Sequence, residues 1–443
     1  MKEDKNIMDT LTPSRPAQVS EFAPERILDL ELGQPLPVLS AFDDKKGQLY
    51  QRAACLVRLH DRLLGTVELL FPDRELHPQE YVGQVWEILG PHINEHLQQD
   101  GLPPISALDV AGVPARGTPR CIEERERFLE DAPFVSVIVP TRDRPDLLHT
   151  CVDCLLALHY PNYEIIIVDN APKDNATAEL VARTYADTPR VRYVREDHPG
   201  LPWARNLGMR VAQGTLLAYV DDDVTIDPYW LVELVRAFDA APDVVCVTGD
   251  VLPLELETPP QFWIEEYGGF SKGFARQIFD LAEHRPADLP LYPYTAGRFG
   301  AGANMAFRAN YLRSVGGFDV LFEIGSDIEA FFQAVARGHR LVYEPAALVQ
   351  HPHYRDYQGL QRQIHRYGLG LTAFLTKAIL ERPSRLLELI TKIPYGFYFV
   401  LSSKSPKNRK KRSSYPPDLT RSELKGMLRG PFVYLSRRLA MGR

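Results

Sequence analysis

Cysteine is scarce in this sequence, and long apolar runs are missing. The 443 residues include five cysteines, an odd and sparse set that argues against a disulfide framework and fits a reducing compartment. The longest candidate apolar run, Ile393–Leu401, covers nine residues and contains a proline and a glycine, whereas a membrane span needs about 18 apolar residues or more. The N-terminal segment lacks the apolar core of a secretory signal. We therefore expect a cytoplasmic protein that does not span a membrane.

Length and composition predict a globular chain of several domains. A share of 45% hydrophobic and 25% charged residues is ordinary for a soluble fold, and the length corresponds to two or three domains of about 100–200 residues each. Changes in apolar periodicity and clusters of proline and glycine indicate the boundaries. The predicted parts are a disordered N-terminus (1–23), a small α+β accessory domain (24–112), a linker (113–133), an α/β domain (134–356) and a helical, basic C-terminal region (357–443).

The C-terminal region is basic on an otherwise acidic chain. Lys377–Arg443 contains 16 lysines and arginines and 4 acidic residues, although the whole chain has a net charge of −7. Its polybasic run, Lys404–Arg412, follows the aromatic segment Tyr395–Phe399. Aromatic residues beside basic ones suit peripheral contact with an anionic membrane, which here means its inner face. The alternative is a solvated tail; no nucleic-acid partner is expected.

From Val135 onward, short apolar runs alternate with helical stretches. Strands are predicted at Val135–Val139, Glu164–Val168, Val191–Val194 and Thr215–Val220. This alternation predicts βαβ units and a mostly parallel sheet. Ligands of such sheets bind at the carboxyl ends of the strands. Thr141, Asp169 and the run 221–223 fall at these ends.

Three consecutive aspartates, Asp221, Asp222 and Asp223, end the last of these strands. Adjacent carboxylates repel one another, and a hard divalent cation relieves the repulsion while bridging to substrate phosphates. The alternative is a solvated acidic turn before the next helix. Further along, Asp327 begins a predicted helix and is a candidate general base; the alternative is that Ser326 or Asp327 caps that helix.

Seven segments together resemble the ordered motifs of family 2 inverting glycosyltransferases, which have the GT-A fold. They are Val135–Asp143, Glu164–Asn170, His198–Gly208, Val220–Val224, Arg298–Arg308, Gly325–Phe332 and Tyr343–His353. The resemblance implies an α/β fold of the GT-A (nucleotide-diphospho-sugar transferase, Rossmann-like) type over 134–356, beside the α+β accessory domain and the helical basic region. It also implies sugar transfer from a nucleotide donor linked to UDP, GDP or dTDP, with inversion. The acceptor hydroxyl would belong to a glycan, a lipid-linked molecule or another compound.

The resemblance also assigns roles to residues. Asp327 would be the catalytic base. The nucleotide-sugar site would contain Pro140, Thr141, Arg142, Asp169, Arg205, Asp221 and Asp222. Mg²⁺ or Mn²⁺ would be held by Asp221, Asp223 and His351, with a phosphate contact or a structural role as alternatives for the histidine. The acceptor side would contain Gly302, Asn304 and Glu329.

One departure and two alternatives remain at this point. The family often has Glu-Asp where this chain has Ser326-Asp327, which leaves the base in place but removes an acidic neighbour on the acceptor side. A nucleotidyltransferase would use a similar sheet, but the Gly-rich loop ending in a basic residue that a triphosphate needs is missing from the first strand. A degenerate, non-catalytic binding module is the second alternative. The pair Cys151 and Cys154 is interpreted as part of a helical core rather than as a redox or zinc motif.

Overall fold

The computed structural model describes residues 22–411 and 414–442. The chain divides into two units. One unit contains the residues up to Glu124 together with Glu255–Pro259, and the other contains Arg125–Leu254 and the chain from Pro260 onward. The predicted disordered segment 1–23 lies outside the described residues except for its last two. The predicted domain boundaries stay predictions.

The first unit is a small α+β fold, as predicted. Its elements are β1 (Glu25–Glu31), β2 (Leu39–Ser40), β3 (Phe42–Asp43), β4 (Gln48–Leu49), β5 (Arg52–Leu59), β6 (Arg62–Leu70), β7 (Glu75–Leu76) and α1 (Pro78–Gln99); α2 (Arg120–Glu130) follows. β5 pairs in parallel with β1 and antiparallel with β6. Helix α1 buries Tyr81, Val85, Leu89 and Ile93, which are four residues apart and therefore share one face. That face packs in one apolar core with the strands.

The second unit contains the large sheet. Its strands are β8 (Val135–Thr141), β9 (Tyr163–Asn170), β10 (Val191–Glu196), β11 (Leu216–Val220), β12 (Thr225–Ile226), β13 (Val244–Pro253), β14 (Gln277–Phe279), β15 (Asn304–Arg308) and β16 (Arg340–His351). Its helices are α3 (Pro145–Leu156), α4 (Ala176–Thr184), α5 (Leu201–Val211), α6 (Trp230–Arg236), α7 (Pro259–Tyr267), α8 (Ala309–Ser314), α9 (Ser326–Ala336), α10 (Tyr357–Glu381), α11 (Arg385–Leu401) and α12 (Pro417–Ala440).

The large sheet is mostly parallel. Within the described residues its nine strands follow the order β10-β9-β8-β11-β15-β13-β16-β12, with β14 beside β16. β8, β9, β10, β11, β13 and β16 run in one direction, because β11 and β13 are both antiparallel to β15. Side chains of β8 alternate between the two faces: Val137 and Val139 join one apolar core, and Ile138 joins the other. Together with the C-terminal helices, this topology confirms the predicted GT-A-type α/β class.

Helices α10 and α12 pack so closely that their backbones are in contact. A Cβ atom on Gly368 would lie 2.1 Å from the carbonyl oxygen of Glu423, and one on Gly426 would lie 2.0 Å from that of His365. Only glycine permits this approach. The hydroxyl of Thr372 on α10 donates to the carbonyl oxygen of Met427 on α12 (2.7 Å). The long C-terminal helix is therefore fixed to its neighbour along several turns.

A buried ion cluster joins α10 to α9. The Lys377 ammonium lies 2.8 Å from Glu329 Oε1 and 3.0 Å from Asp319 Oδ2. Burial alone would lower the pKa of Lys377, but the two carboxylates outweigh it and raise that pKa. Removing one member would leave a buried charge uncompensated. Among the described residues, no helix is both long enough and apolar enough to cross a membrane.

Candidate active site

The ends of the parallel strands open into a cavity of about 1720 Å³ in the second unit. The last residues of β8 and β9, Thr141 and Asn170, line it together with the aspartates 221–223 that follow β11, as the position of ligand sites in α/β sheets predicts. The 300–303 segment and Asp327 line the same cavity. The C-terminal helices supply an apolar wall on the far side.

The three aspartates that follow β11 have different surroundings. Asp222 is buried: its Oδ2 accepts a 2.6 Å hydrogen bond from Thr141 Oγ1, and its Oδ1 accepts one from Arg144 Nη1 at 3.2 Å. Burial raises the pKa of Asp222 to about 6 against these partners. Arg144 also donates to Asp223 Oδ2 at 3.0 Å. Asp222 thus anchors the acidic turn, residues 221–223, to β8.

His351 meets the other two aspartates at the end of β16. Its Nε2 lies 3.8 Å from Asp221 Oδ2 and 3.5 Å from Asp223 Oδ1. Its Nδ1 donates to the carbonyl oxygen of Pro352 at 2.7 Å, since a carbonyl only accepts. In the neutral ring, Nε2 therefore directs a lone pair towards two carboxylates. Three acceptors facing one another need a cation or a proton between them.

The residues present fit a divalent cation. The potential ligand atoms of Asp221, Asp223 and His351 all lie within 4.8 Å of one another. Asp223 Oδ1 is buried and makes no hydrogen bond within the described part of the chain. Burial raises the pKa of Asp223, and the neighbouring imidazole opposes that shift. Two carboxylate oxygens and one imidazole, with room for phosphate oxygens, suit Mg²⁺ or Mn²⁺.

Asp327 lies in the first turn of α9, but it does not cap the helix. The N-cap is Gly325, with φ of 91°, and it receives no side-chain cap bond from the described residues. Asp327 Oδ2 instead accepts a 2.9 Å hydrogen bond from the backbone N–H of Gly302. The capping alternative therefore does not explain this aspartate, and its carboxylate faces the cavity.

Gly302 and Arg205 connect Asp327 to the acidic turn. Arg205 Nη2 donates to the Gly302 carbonyl oxygen at 3.0 Å and lies 3.9 Å from Asp221 Oδ1. A Cβ atom on Gly302 would lie 2.6 Å from Asp327 Oδ2 and 2.7 Å from Arg205 Nη2. The glycine is required because both sides of its backbone are occupied. The buried Arg205 Nε finds no hydrogen-bond partner among the described residues.

Of the other predicted nucleotide residues, Pro140, Thr141 and Arg142 line the cavity, whereas Asp169 does not. Asp169 is fully buried at the end of β9, where its Oδ2 accepts a 2.9 Å hydrogen bond from Tyr193. Its Oδ1 is buried without a partner in the described chain, and burial raises the pKa of Asp169.

Two predicted acceptor-side residues lie away from the cavity. Asn304 is fully buried: it accepts from Trp230 Nε1 and donates to the carbonyl oxygens of Asp250 and Ala347. Glu329 is buried against Lys377. Both side chains are used in packing, so we leave them out of the proposed site.

Sequence reasoning missed Arg144, the cation that bridges two of the aspartates. Arg144 lies in the loop that follows β8, directly after Asp143, a non-glycine residue with φ of 55°. Cys151 is buried on α3, and its thiol donates to the backbone oxygen of Asp221 at 3.4 Å.

Part of this chain is similar in sequence to a known protein family and to several known proteins. Residues 136–286 match the sequence model of the family described as Glycosyl transferase family 2. The chain is 34% identical over 261 residues to the O-antigen biosynthesis protein RfbC of Myxococcus xanthus. This match covers 56% of this chain and 19% of RfbC. It is 27% identical over 220 residues to a pre-mycofactocin glycosyltransferase of Mycobacterium tuberculosis, covering 49% of this chain and 43% of that one. The chain therefore spans less than half the length of these two relatives.

Two further likenesses have different coverage. The chain is 26% identical over 232 residues to the glucosyl-dolichyl phosphate glucuronosyltransferase of Haloferax volcanii, covering 49% of this chain and 68% of that one. Among solved structures, the mannosyltransferase PcManGT from Pyrobaculum calidifontis, in complex with GDP-Man and Mn²⁺, is similar over 72% of this chain and 80% of its own. Its sequence identity is 19% and the TM-score is 0.40.

Proposed function

We propose that this chain, whose residues 136–286 match the sequence model of glycosyl transferase family 2, is a member of that family and transfers a sugar from a nucleoside diphosphate to an acceptor hydroxyl with inversion. The observation that supports this is one continuous set of contacts. It runs from Asp327 through Gly302 and Arg205 to Asp221. A proton acceptor and a cation-binding cluster therefore line the same cavity, at the two ends of that set.

The chemistry follows from these positions. The acceptor oxygen forms a bond to the anomeric carbon, and the carbon–oxygen bond to the diphosphate breaks, so that the electron pair leaves with the nucleoside diphosphate. Asp327 takes the hydroxyl proton. A Mg²⁺ or Mn²⁺ ion held by Asp221, Asp223 and His351 supplies Lewis-acid neutralisation of the leaving group when bound. Arg205 holds the Gly302 backbone, and with it the position of the base.

Neither alternative explains the site as well. A nucleotidyltransferase has no need of a base such as Asp327, whose Oδ2 lies 2.9 Å from the Gly302 nitrogen. A degenerate module has no need for intact Asp221, Asp223 and Asp327 in one cavity. The family match favours glycosyl transfer over both.

The donor can be tested by ligand binding. We expect one member of a panel of UDP-, GDP- and dTDP-linked sugars to raise the melting temperature when Mn²⁺ is present. At a hundredfold excess of donor over Kd, binding increases the free energy of unfolding by about 2.7 kcal/mol. The same donor without Mn²⁺ should raise it less. Thermal-shift measurements with each donor, with and without metal, provide the check. A panel in which no donor has an effect would contradict the proposed donor site.

The acceptor side has an apolar wall that suits a lipid-linked acceptor. Leu371, Leu375, Leu389 and Ile393, from α10 and α11, line the cavity that holds Asp327. Hydrocarbon is the complement of such a surface. The relative from Haloferax volcanii is named for a dolichyl-phosphate-linked sugar. The acceptor class thus includes a hydroxyl on a lipid carrier.

Helix α11 supports delivery of that acceptor from a membrane surface. None of its residues is buried. Leu387, Ile390 and Phe397 are 71%, 50% and 63% exposed, an unusual apolar exposure for a monomeric protein. Lys404, Arg409 and Lys410 follow the helix and are exposed, while Arg412 lies outside the described residues. An apolar face flanked by basic residues fits an anionic bilayer, on which α11 lies without crossing it.

The membrane contact can be tested on Leu387, which is highly exposed and does not line the cavity. We expect Leu387→Glu to weaken binding to vesicles of phosphatidylcholine and phosphatidylglycerol at least about tenfold, because a buried leucine contributes about 1.5–3 kcal/mol. Leu281→Glu, at a leucine that is 47% exposed elsewhere in the unit, is the matched control and should bind as the wild type does. Vesicle co-sedimentation measures both. Equal binding of all three proteins would argue for a solvated tail.

A further inference from the structure

A second cluster of metal-binding side chains lies in the first unit. Three segments meet there: the turn between β5 and β6 supplies His60, the end of α1 supplies His96 and Asp100, and the start of α2 supplies Cys121. Their potential ligand atoms all lie within 4.8 Å of one another. Two imidazoles, a carboxylate and a thiol form a complete donor set for a tetrahedral ion.

The distances centre on Asp100 Oδ2. His60 Nδ1 lies 2.8 Å from it, Cys121 Sγ 3.1 Å and His96 Nε2 3.2 Å. The two histidine nitrogens are 3.1 Å apart. Zinc bonds of about 2.0–2.3 Å place the ligands of a tetrahedron roughly 3.3–3.8 Å apart. The four atoms therefore need to separate by only about half an ångström to admit the ion.

The carboxylate is held in a way that leaves one oxygen for the ion. Asp100 Oδ1 accepts a 3.0 Å hydrogen bond from the backbone N–H of Cys121, so Oδ2 alone faces the cluster. A backbone bond to the second oxygen is the kind of outer contact that orients metal ligands.

Burial and charge also fit a doubly charged ion. His96, Asp100 and Cys121 are 5%, 6% and 8% exposed, whereas the His60 side chain is 14% exposed and offers a route of entry. Zn²⁺ with one carboxylate, one thiolate and two neutral imidazoles has no net charge. A neutral complex avoids the large cost of burying an isolated ion.

The backbone of the turn directs His60 into the cluster. His60 and Asp61 have φ of 55° and 66°, so both central residues of this two-residue hairpin are left-handed. That type I′ turn favours Asn-Gly, and a histidine there is costly. Its presence is explained if the side chain is needed beneath the turn.

A third acid–histidine group, found among the described residues, provides a contrast. Asp280, Glu283 and His284 also converge. There Arg340 supplies the positive charge, lying 3.2 Å from Asp280 Oδ2 and 2.6 Å from Glu283 Oε2. That group is an ion pair satisfied by the protein itself.

We propose that His60, His96, Asp100 and Cys121 form a closed, structural Zn²⁺ site. It ties the β5–β6 turn, the end of α1 and the start of α2 together. Binding releases the Cys121 thiol proton to solvent, as thiolate ligation requires. With four protein ligands the ion has no open position, which distinguishes a structural from a catalytic zinc.

The test uses the full-length protein and two cysteine variants. Cys121→Ser removes one ligand, and Cys154→Ser, at a cysteine on α3, is the matched control. We expect about one zinc per chain in the wild type and the control after dialysis, and a loss of at least about tenfold in Cys121→Ser, measured by elemental mass spectrometry. Substitution with Co²⁺ should give thiolate-to-cobalt charge-transfer absorption in the first two proteins and none in the third.

A folding failure of Cys121→Ser would not leave the question open. His60→Gln changes the partly exposed ligand of the turn, and it should likewise lose zinc while keeping the circular dichroism spectrum of the wild type. Wild-type protein that takes up neither Zn²⁺ nor Co²⁺ would overturn the proposal and leave a cluster joined by hydrogen bonds alone. Equal zinc content in Cys121→Ser and Cys154→Ser would also overturn it, since the ion would then lie elsewhere.

Discussion

Asp327→Asn is expected to lower kcat by about 10²–10⁴-fold while leaving donor binding unchanged. The amide has the shape of the carboxylate, and its oxygen can still accept the hydrogen bond from the Gly302 N–H. It cannot take the acceptor proton, so only the chemical step is lost. Initial rates at saturating donor and acceptor measure the first effect, and the donor-induced thermal shift measures the second.

The matched control is Asp356→Asn. Asp356 caps α10, where its side chain accepts from the N–H of Gly359, and asparagine caps a helix about as well. This variant should retain wild-type turnover. If Asp327→Asn also turned over normally while binding the donor, Asp327 would not be the base.

Asp223→Asn is expected to weaken Mn²⁺ binding at least about 100-fold, since even the loss of a group that only orients a ligand costs about 10–100-fold. The change removes a charge from the side chain whose Oδ1 faces His351. Titration calorimetry with Mn²⁺ measures this directly. The metal-dependent part of the donor thermal shift should disappear with it.

Asp280→Asn serves as the control for the metal prediction. It neutralises an aspartate in the other acid–histidine group of the second unit, where Arg340 already supplies the cation. Its Mn²⁺ affinity should equal that of the wild type. Unchanged affinity in Asp223→Asn, or an equal loss in both variants, would contradict the assignment to Asp221, Asp223 and His351.

Much of the sheet could be predicted because its strands are short, apolar and followed by polar residues. The predicted runs at 135–139 and 164–168 lie inside β8 and β9, which end two residues later. Topology then brings Thr141 within 2.6 Å of Asp222, although 81 residues separate them. A parallel sheet aligns strand ends, so strand order and polar termini were enough to predict this edge.

Other features depend on contacts that a local pattern does not encode. Asn304 and Glu329 were placed on the acceptor side by the resemblance, and their partners are a tryptophan and a lysine from distant segments. The role of Arg144 could be recognised only once the acidic turn was known to fold back over β8. Helix α2 lies inside the predicted linker 113–133, and it supplies Cys121 to a cluster whose other members are 21 or more residues away.

Gly370 of α10 lies against the start of the helix that carries Asp327: a Cβ atom there would come within 3.0 Å of the carbonyl oxygen of Ile324. The backbone of α10 is also in direct contact with that of α12. The height of the base above any surface on which the C-terminal helices rest is therefore fixed by the fold. If the C-terminal helices rest on a bilayer as proposed, the enzyme would select acceptors by how far their hydroxyl stands from the lipid.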